Sequence, residues 1–135
     1  MLSWKYIVIP FIIVFLSQSI KVLFEFIRYR KISFKRYISG MGGMPSTHSA
    51  LVSSISTIIY MDFGMSPLFG VTFLFSLIVI YDSMGIRYES GKQARIIYDI
   101  TGSNLEDRLG HKPIEVLAGI LLGICVSFLL NVIIK

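Results

Sequence analysis

Residues 113–134 read PIEVLAGILLGICVSFLLNVII, and Glu115 is the only charged side chain among them. A run of this length and polarity is typical of a helix that crosses a lipid bilayer. It belongs to a chain of 135 residues that is 54% hydrophobic, with a mean hydropathy of +0.73. Soluble domains of this size are rarely so apolar. The chain is therefore predicted to be an integral membrane protein with a single membrane-embedded domain, residues 1–135.

Three further apolar segments precede this run, and each is predicted to form a helix. The four predicted helices cover residues 4–28, 45–60, 67–84 and 113–134. Between the last two, residues 89–100 are predicted to form a short surface helix with Ala94, Ile97 and Tyr98 on one side, lying at the membrane interface. The predicted fold is thus all-α, a bundle of about four transmembrane helices plus an interfacial amphipathic segment.

Small and hydroxyl-bearing residues indicate how these helices meet. A stripe at helical spacing in the second helix is expected to face other helices, not lipid, and consists of Ser49, Ser53, Ser56 and Tyr60. Gly119 and Gly123 form a Gly-x-x-x-Gly pair on the fourth helix. A homodimer that meets at one of these two faces is one interpretation, and close packing within one subunit is the other.

The charge of the chain excludes several classes of function. The formal net charge is +5, and the cations are gathered in two polar segments, 29–43 and 85–112, and are not spread over a face that would bind nucleic acid. A membrane surface or an anionic substrate explains them better.

The single cysteine, Cys125, excludes an internal disulfide, and no zinc-type Cys/His spacing is present. The acidic residues form no recognisable metal motif, so we expect no metal and no cofactor, and a Mg²⁺ site that includes Asp82 is the weaker alternative.

Topology brings the chemically capable residues to one membrane face. The end of the first helix, the start of the second, the end of the third and the start of the fourth all share that face. Of the 13 Lys and Arg residues, all but Lys5 and Lys135 lie there or at its edge. The positive-inside rule therefore predicts that this face is cytoplasmic.

One motif on that face is suited to an anion. Residues 42–50 read GGMPSTHSA, at the point where a basic loop meets an apolar helix. Gly43 gives a backbone that can approach an anion closely, and a proline suits the first turn of a helix. Ser46, Thr47 and the free amides behind them can donate hydrogen bonds, while His48 can move a proton near neutral pH.

A second histidine opens the fourth helix. His111 and Glu115 are four residues apart, so on a helix they would stack on one face. A carboxylate bonded to one imidazole nitrogen fixes the tautomer and leaves the other nitrogen free to attack. The pair could also be a structural contact, but a second histidine, His48, at the same depth favours chemistry.

Three cations are candidates for holding phosphate. Lys21 follows fifteen mostly apolar residues, a costly position in a bilayer unless it snorkels or pairs, and Arg28 lies seven residues further on. Arg87, at the end of the third helix, offers a planar fork suited to phosphate, and Asp82 could orient it. Simple contact with lipid headgroups is the alternative for Arg87.

Together these motifs resemble the type 2 phosphatidic acid phosphatase superfamily, which includes the vanadium-dependent haloperoxidases. Lys21 and Arg28 match its first signature except that Tyr29 replaces a proline, and residues 45–48, PSTH, match the second with Thr47 in place of glycine. The third is matched at His111, with Glu115 for an aspartate. Its arginine is missing at the expected spacing, where Leu105 stands, so Arg87 or Arg108 would replace it. These departures resemble the divergent bacterial and plastid branch of the superfamily.

The resemblance implies a metal-independent phosphatase that hydrolyses a lipid phosphate monoester, such as a polyprenyl phosphate, phosphatidate or phosphatidylglycerol phosphate. It implies His111 as nucleophile, His48 as acid and base, and Glu115 as the group that orients His111. It also assigns phosphate binding to Lys21, Arg28, Gly43, Ser46, Thr47 and Arg87. The alternative is a protein that binds or transports a phosphorylated lipid without catalysis. By resemblance, the expected location is the bacterial plasma membrane.

Overall fold

The computed structural model describes residues 4–29, 43–103 and 110–134, and within those ranges it contains helices and no strands. The helices are α1 (Lys5–Tyr29), α2 (Thr47–Phe63), α3 (Pro67–Met84), α4 (Ile86–Thr101) and α5 (Pro113–Ile133). Three stretches are long and apolar enough to cross a membrane, and they are Lys5–Ile27, Pro67–Thr101 and Pro113–Ile133. The prediction of an all-α membrane bundle is therefore confirmed.

Helix α2 lies at the centre of the bundle. It packs against α1, α3 and α5, and most of its side chains are buried. Helix α1 also packs along α5, whereas α1 and α3 do not pack against each other anywhere in the described ranges. With 17 residues and many hydroxyls, α2 is the fourth helix of the bundle, and the other three enclose it.

The buried core is small and joins α1 to α2. Its centre consists of Ile9 and Ile13 from α1 with Ala50 and Ile58 from α2, all fully buried. The outer surfaces of α1, α3 and α5 instead carry exposed large apolar side chains, such as Phe11, Val71 and Ile133. An apolar exterior around a core of this kind fits a protein whose solvent is hydrocarbon.

Helices α2 and α5 approach each other closely because α5 presents glycines. A Cβ atom added to Gly119 would overlap the carbonyl oxygen of Ser46, and one added to Gly123 would overlap the Ser53 hydroxyl and the Ala50 carbonyl oxygen. The Gly-x-x-x-Gly pair is thus used for packing within one subunit, the second of the two interpretations given above.

The hydroxyl stripe of α2 faces its neighbours in part. Ser53 donates to the carbonyl oxygen of Ile120 of α5, at 3.4 Å, and Ser56 shares a hydrogen bond of 2.8 Å with Ser76 of α3. The prediction is wrong for Tyr60, whose side chain is half exposed. Its ring meets that of Phe69 in α3 with a centroid separation of 5.1 Å.

A polar cluster closes the far end of the bundle, where α1 begins. The ammonium of Lys5 lies 2.7 Å from Asp62 Oδ2 and donates to Asn131 Oδ1 at 2.9 Å. The Tyr6 hydroxyl also donates to Asp62, at 2.6 Å. These contacts tie α1, α2 and α5 together with every charge paired, which is the condition for keeping ions out of water.

Helix α4 continues from α3 after a break at Gly85 and lies on the outside of the bundle. Only Gly91 and Ala94 are buried along its length. Its apolar side chains are largely exposed, with Ile100 reaching 78% and Ile97 42%. The helix therefore keeps an uncovered apolar face, as a segment at a membrane interface does.

Candidate active site

The segment before α5 is fixed to the corner between α3 and α4. The backbone N–H of His111 donates to the carbonyl oxygen of Ser83, at 3.0 Å. Gly110 has a φ of +84°, and a Cβ atom there would collide with the backbone of Tyr88. Only glycine satisfies both conditions, since a side chain is disfavoured at positive φ and has no room here. His111 is consequently held at the end of α3, with 4% of its surface exposed.

Glu115 orients the His111 ring from one turn away. Its Oε2 atom lies 3.2 Å from His111 Nδ1 and also accepts the backbone N–H of Lys112, at 3.0 Å. A carboxylate at Nδ1 favours the tautomer that carries its proton there, which leaves the lone pair on Nε2. Burial lowers the pKa of His111, and the charge of Lys21 lowers it further, while the bond to Glu115 opposes both effects. The neutral, nucleophilic form of His111 is therefore favoured near neutral pH.

His48 faces His111 from the first turn of α2. The centroids of the two imidazole rings are 6.4 Å apart, and the ring planes meet at 58°. A backbone hydrogen bond of 2.9 Å, from the N–H of Ser46 to the carbonyl oxygen of Glu115, joins the starts of α2 and α5. This bond, with the close approach at Gly119, brings together two histidines that lie far apart in sequence.

Two cations interact electrostatically with His48. The partly buried ammonium of Lys21 interacts electrostatically with His48, His111 and Glu115. Arg87 interacts with His48 from the corner after α3, and its Nε atom lies 3.1 Å from Asp82 Oδ2. The structure thus brings both cations, Asp82, Glu115 and the two histidines to one end of the bundle, which we call the site end. The side chain of Arg28 and all of Arg108 lie outside the described residues.

The motif at residues 43–47 is built differently from the prediction. Pro45 precedes the helix and does not open it, because Ser46 is the N-cap and α2 begins at Thr47. The Ser46 hydroxyl accepts a bond of 2.9 Å from Ser49, and Thr47 Oγ1 accepts one of 3.1 Å from Ser17. In both bonds the predicted phosphate ligand is the acceptor, so these bonds do not use its O–H donor. Gly43, with φ +128°, does adopt a backbone that favours glycine.

The first turn of α2 nevertheless keeps the groups that an anion needs. The first amides of a helix have no carbonyl partner within the helix, and the helix dipole adds partial positive charge there. Ser46 satisfies the amides of Ser49 and Ala50. The amides of Thr47 and His48 therefore remain as candidate donors to phosphate, in addition to the predicted hydroxyls.

Comparison with known proteins identifies the family. Residues 2–126 match the sequence profile described as "Divergent PAP2 family". The chain belongs to the divergent PAP2 family. It is also similar to the "Uncharacterized membrane protein YuiD" of Bacillus subtilis (strain 168), with 34% identity over 84% of this chain and 85% of that protein. No solved structure matches the chain.

Membership of the divergent PAP2 family confirms the resemblance drawn from the motifs around Lys21, His48 and His111. Sequence reasoning did not foresee the contact between Gly110 and Tyr88, although the glycine directly before His111 was a visible signal. It also missed the far-end cluster around Lys5 and Asp62, whose members carry no local motif. Among the described residues, no group of three or more His, Cys, Asp or Glu side chains is placed to hold a metal ion.

Proposed function

We propose that this member of the divergent PAP2 family hydrolyses a lipid phosphate monoester through a phosphohistidine on His111. The observation that carries the proposal is the pairing of two histidines across 6.4 Å, one of them held at Nδ1 by Glu115. A structural role would explain one buried histidine, but it would not explain a second one opposite it with a cation beside both.

In the first step, Nε2 of His111 attacks phosphorus, and the bond from phosphorus to the leaving oxygen breaks. His48, in its protonated form, gives a proton to that oxygen, so the lipid leaves as an alcohol. Glu115 stabilises the positive charge that develops on the His111 ring. Charge on the transferring phosphoryl group is neutralised by Lys21, Arg87 and the amides of Thr47 and His48. The family resemblance adds Arg28, Gly43 and Ser46 as further phosphate-binding residues.

In the second step, water attacks the phosphohistidine. The neutral His48 left by the first step takes a proton from this water, the bond between phosphorus and Nε2 breaks, and inorganic phosphate leaves. Both histidines return to their starting states. This scheme calls for no metal or other cofactor.

The membrane setting favours a lipid substrate. Exposed apolar side chains continue up to the site end, such as Phe24 of α1 and Ile114 of α5, so a phosphate attached to a lipid tail can reach the site while the tail stays in hydrocarbon. Polyprenyl phosphates, phosphatidate and phosphatidylglycerol phosphate all satisfy this condition. The basic residues near the site end support a cytoplasmic position in a bacterial plasma membrane.

The proposal is tested with the purified full chain in mixed micelles. Phosphate release is measured from the three lipid phosphates named above, for the unaltered protein and for His111→Ala and His48→Ala. We expect His111→Ala to abolish release, and His48→Ala to slow it and to accumulate radiolabelled phosphohistidine. Undiminished turnover in His111→Ala would exclude this residue as nucleophile. Tight binding of these lipids by the unaltered protein without any release would favour the non-catalytic alternative.

A further inference from the structure

A strip along α2 descends from the active site into the bundle. His48, Leu51 and Ile55 lie on one face of the helix, at positions i, i+3 and i+7. Each is partly exposed, whereas Val52, one turn from His48, is buried, as are Ala50, Ser53 and Ser54. The two apolar members therefore form a partly exposed apolar path that begins at the ring of His48.

The other three faces of α2 are covered. Thr47 meets Ser17 of α1, and Ser53 lies against Ile120 and Gly123 of α5. Ser56 bonds to Ser76 of α3. At 100° per residue, the strip falls between the directions of α1 and α3. These are the two neighbours of α2 that do not pack against each other in the described ranges.

The strip is thus the floor of a groove whose walls are α1 and α3. Each wall carries one cation at the site end, since Lys21 projects from α1 and Arg87 follows α3, and both interact electrostatically with His48 on the floor. The neighbouring side, between α3 and α5, is closed at the site end by the bond from His111 to Ser83. From His48 to Ile55 this partly exposed floor is about 10 Å long, and it ends where Ile58 and Ile59 are buried.

We propose that this groove holds the hydrocarbon chain of the substrate lipid, and that Leu51 and Ile55 determine the preference for a long-chain phosphate over a water-soluble one. The inference rests on the proposed phosphatase function. A phosphorylated lipid is the occupant that fits, because cations stand at one end of the groove and only apolar side chains follow on its floor. The lipid enters sideways from the bilayer, with its phosphate between Lys21 and Arg87.

The test compares two substrates in two matched variants. Hydrolysis is measured for two substrates in the same mixed micelles, dioleoyl phosphatidate and p-nitrophenyl phosphate. The proteins compared are the unaltered chain, Ile55→Trp and Leu121→Trp. Leu121 is an exposed apolar residue of α5, away from the groove. We expect Ile55→Trp to lower the ratio of kcat/KM for the lipid to that for the soluble phosphate by about tenfold or more, as filling an apolar subsite does. Leu121→Trp should leave that ratio unchanged. An unchanged ratio in Ile55→Trp would overturn the assignment of the groove.

A second measurement does not depend on turnover. A phosphatidate with a photoreactive group within its acyl chain is irradiated with the His111→Ala variant, and the labelled peptides are identified. We expect label at residues 51–55, and we expect excess phosphatidate to prevent it. This result would support the assignment of the groove even if no substrate were hydrolysed. Label spread over the outer surfaces of α3 and α5, or a crosslink between two copies of the chain at residues 51–55, would overturn the proposal.

Discussion

Gly110 lies against the backbone of Tyr88 so closely that no side chain fits between them. The contact joins the residue before His111 to the first turn of α4, one position after Arg87. The proposed nucleophile and one proposed phosphate ligand are therefore held by the same backbone contact, although an undescribed segment of the chain separates them in sequence.

Replacing Gly110 should destabilise the protein by more than the cost of its positive φ alone, because the new side chain would also collide with Tyr88. Gly110→Ala places a Cβ at positive φ, which costs about 1–2 kcal/mol, and overpacking against Tyr88 adds about 1–3 kcal/mol. Gly102→Ala is the matched control, because Gly102 also has a positive φ but open space around it. We expect a larger loss of thermal stability and of phosphate release in Gly110→Ala than in Gly102→Ala. Equal losses in the two variants would show that the contact with Tyr88 is unimportant.

The ionisation of His111 can be followed directly, because the chain has 2 histidines. Burial and Lys21 lower its pKa, so its ring should titrate below the ordinary value of 6.5. The neutral form then persists as the pH falls through 6.5, and the acid limb of kcat/KM should lie below that pH. The measurement is an NMR titration in micelles, assigned with His48→Asn. Glu115→Gln, which removes a group that raises this pKa, should move the midpoint lower still. A midpoint at or above 6.5 would contradict the prediction.

Lys21 should contribute to catalysis through its charge. It interacts with both histidines and with Glu115, a position suited to charge that builds on a phosphoryl group. Lys21→Ala should lower kcat/KM for phosphatidate by about a hundredfold or more, the usual cost of losing one such donor. The control is Lys92→Ala, because Lys92 is exposed on α4 and paired with Glu89. Activity should be retained in this control, and equal effects of the two changes would remove Lys21 from the site.

The close contact between α2 and α5 predicts a difference between two glycines in helices. Gly123→Ala introduces an overlap with Ser53 and Ala50, and should lower the free energy of unfolding by about 1–3 kcal/mol. Gly70→Ala, in α3, meets open space and should raise it by about 0.5–1 kcal/mol. Unfolding by sodium dodecyl sulfate in mixed micelles measures both. Stability unaffected by Gly123→Ala would argue against this packing.

The far-end cluster should behave as a coupled ion pair. The side chains of Lys5 and Asp62 are only 10% and 8% exposed. Asp62→Leu leaves Lys5 without its counter-ion and should cost about 3 kcal/mol of unfolding free energy. The double variant Lys5→Met/Asp62→Leu should recover most of that loss, because no buried charge remains. Additive losses in the double variant would show that the two residues act independently.

The helices of this fold could be predicted from sequence because apolar runs of sufficient length have few other structures in a membrane. Helix α3 has the predicted bounds, and α2 begins two residues late because Ser46 caps it. Helix α4 was predicted as residues 89–100 and in fact starts at Ile86, since Gly85 interrupts the helix for only one residue.

Which residues meet across helices could be predicted only in part. Convergence of helix ends placed His48 and His111 at one face, because topology alone requires it. The exposure of Tyr60 and the pairing of Lys5 with Asp62 depend on how the helices pack along their length, and a helical pattern in one segment does not contain that information. The use of the Ser46 and Thr47 hydroxyls likewise depends on partners, Ser49 and Ser17, whose geometry only the folded chain defines.

The central position of α2 has a consequence for how the protein is made. This helix is rich in buried hydroxyls, and with 17 residues it is not among the stretches long and apolar enough to cross a bilayer. Its most extensive partner, α5, is synthesised after α1 to α4. We therefore expect α2 to enter the membrane as a hairpin with α3 and to remain incompletely covered until α5 emerges from the ribosome. A chain that ends before α5 should accordingly be recognised by membrane quality control and degraded.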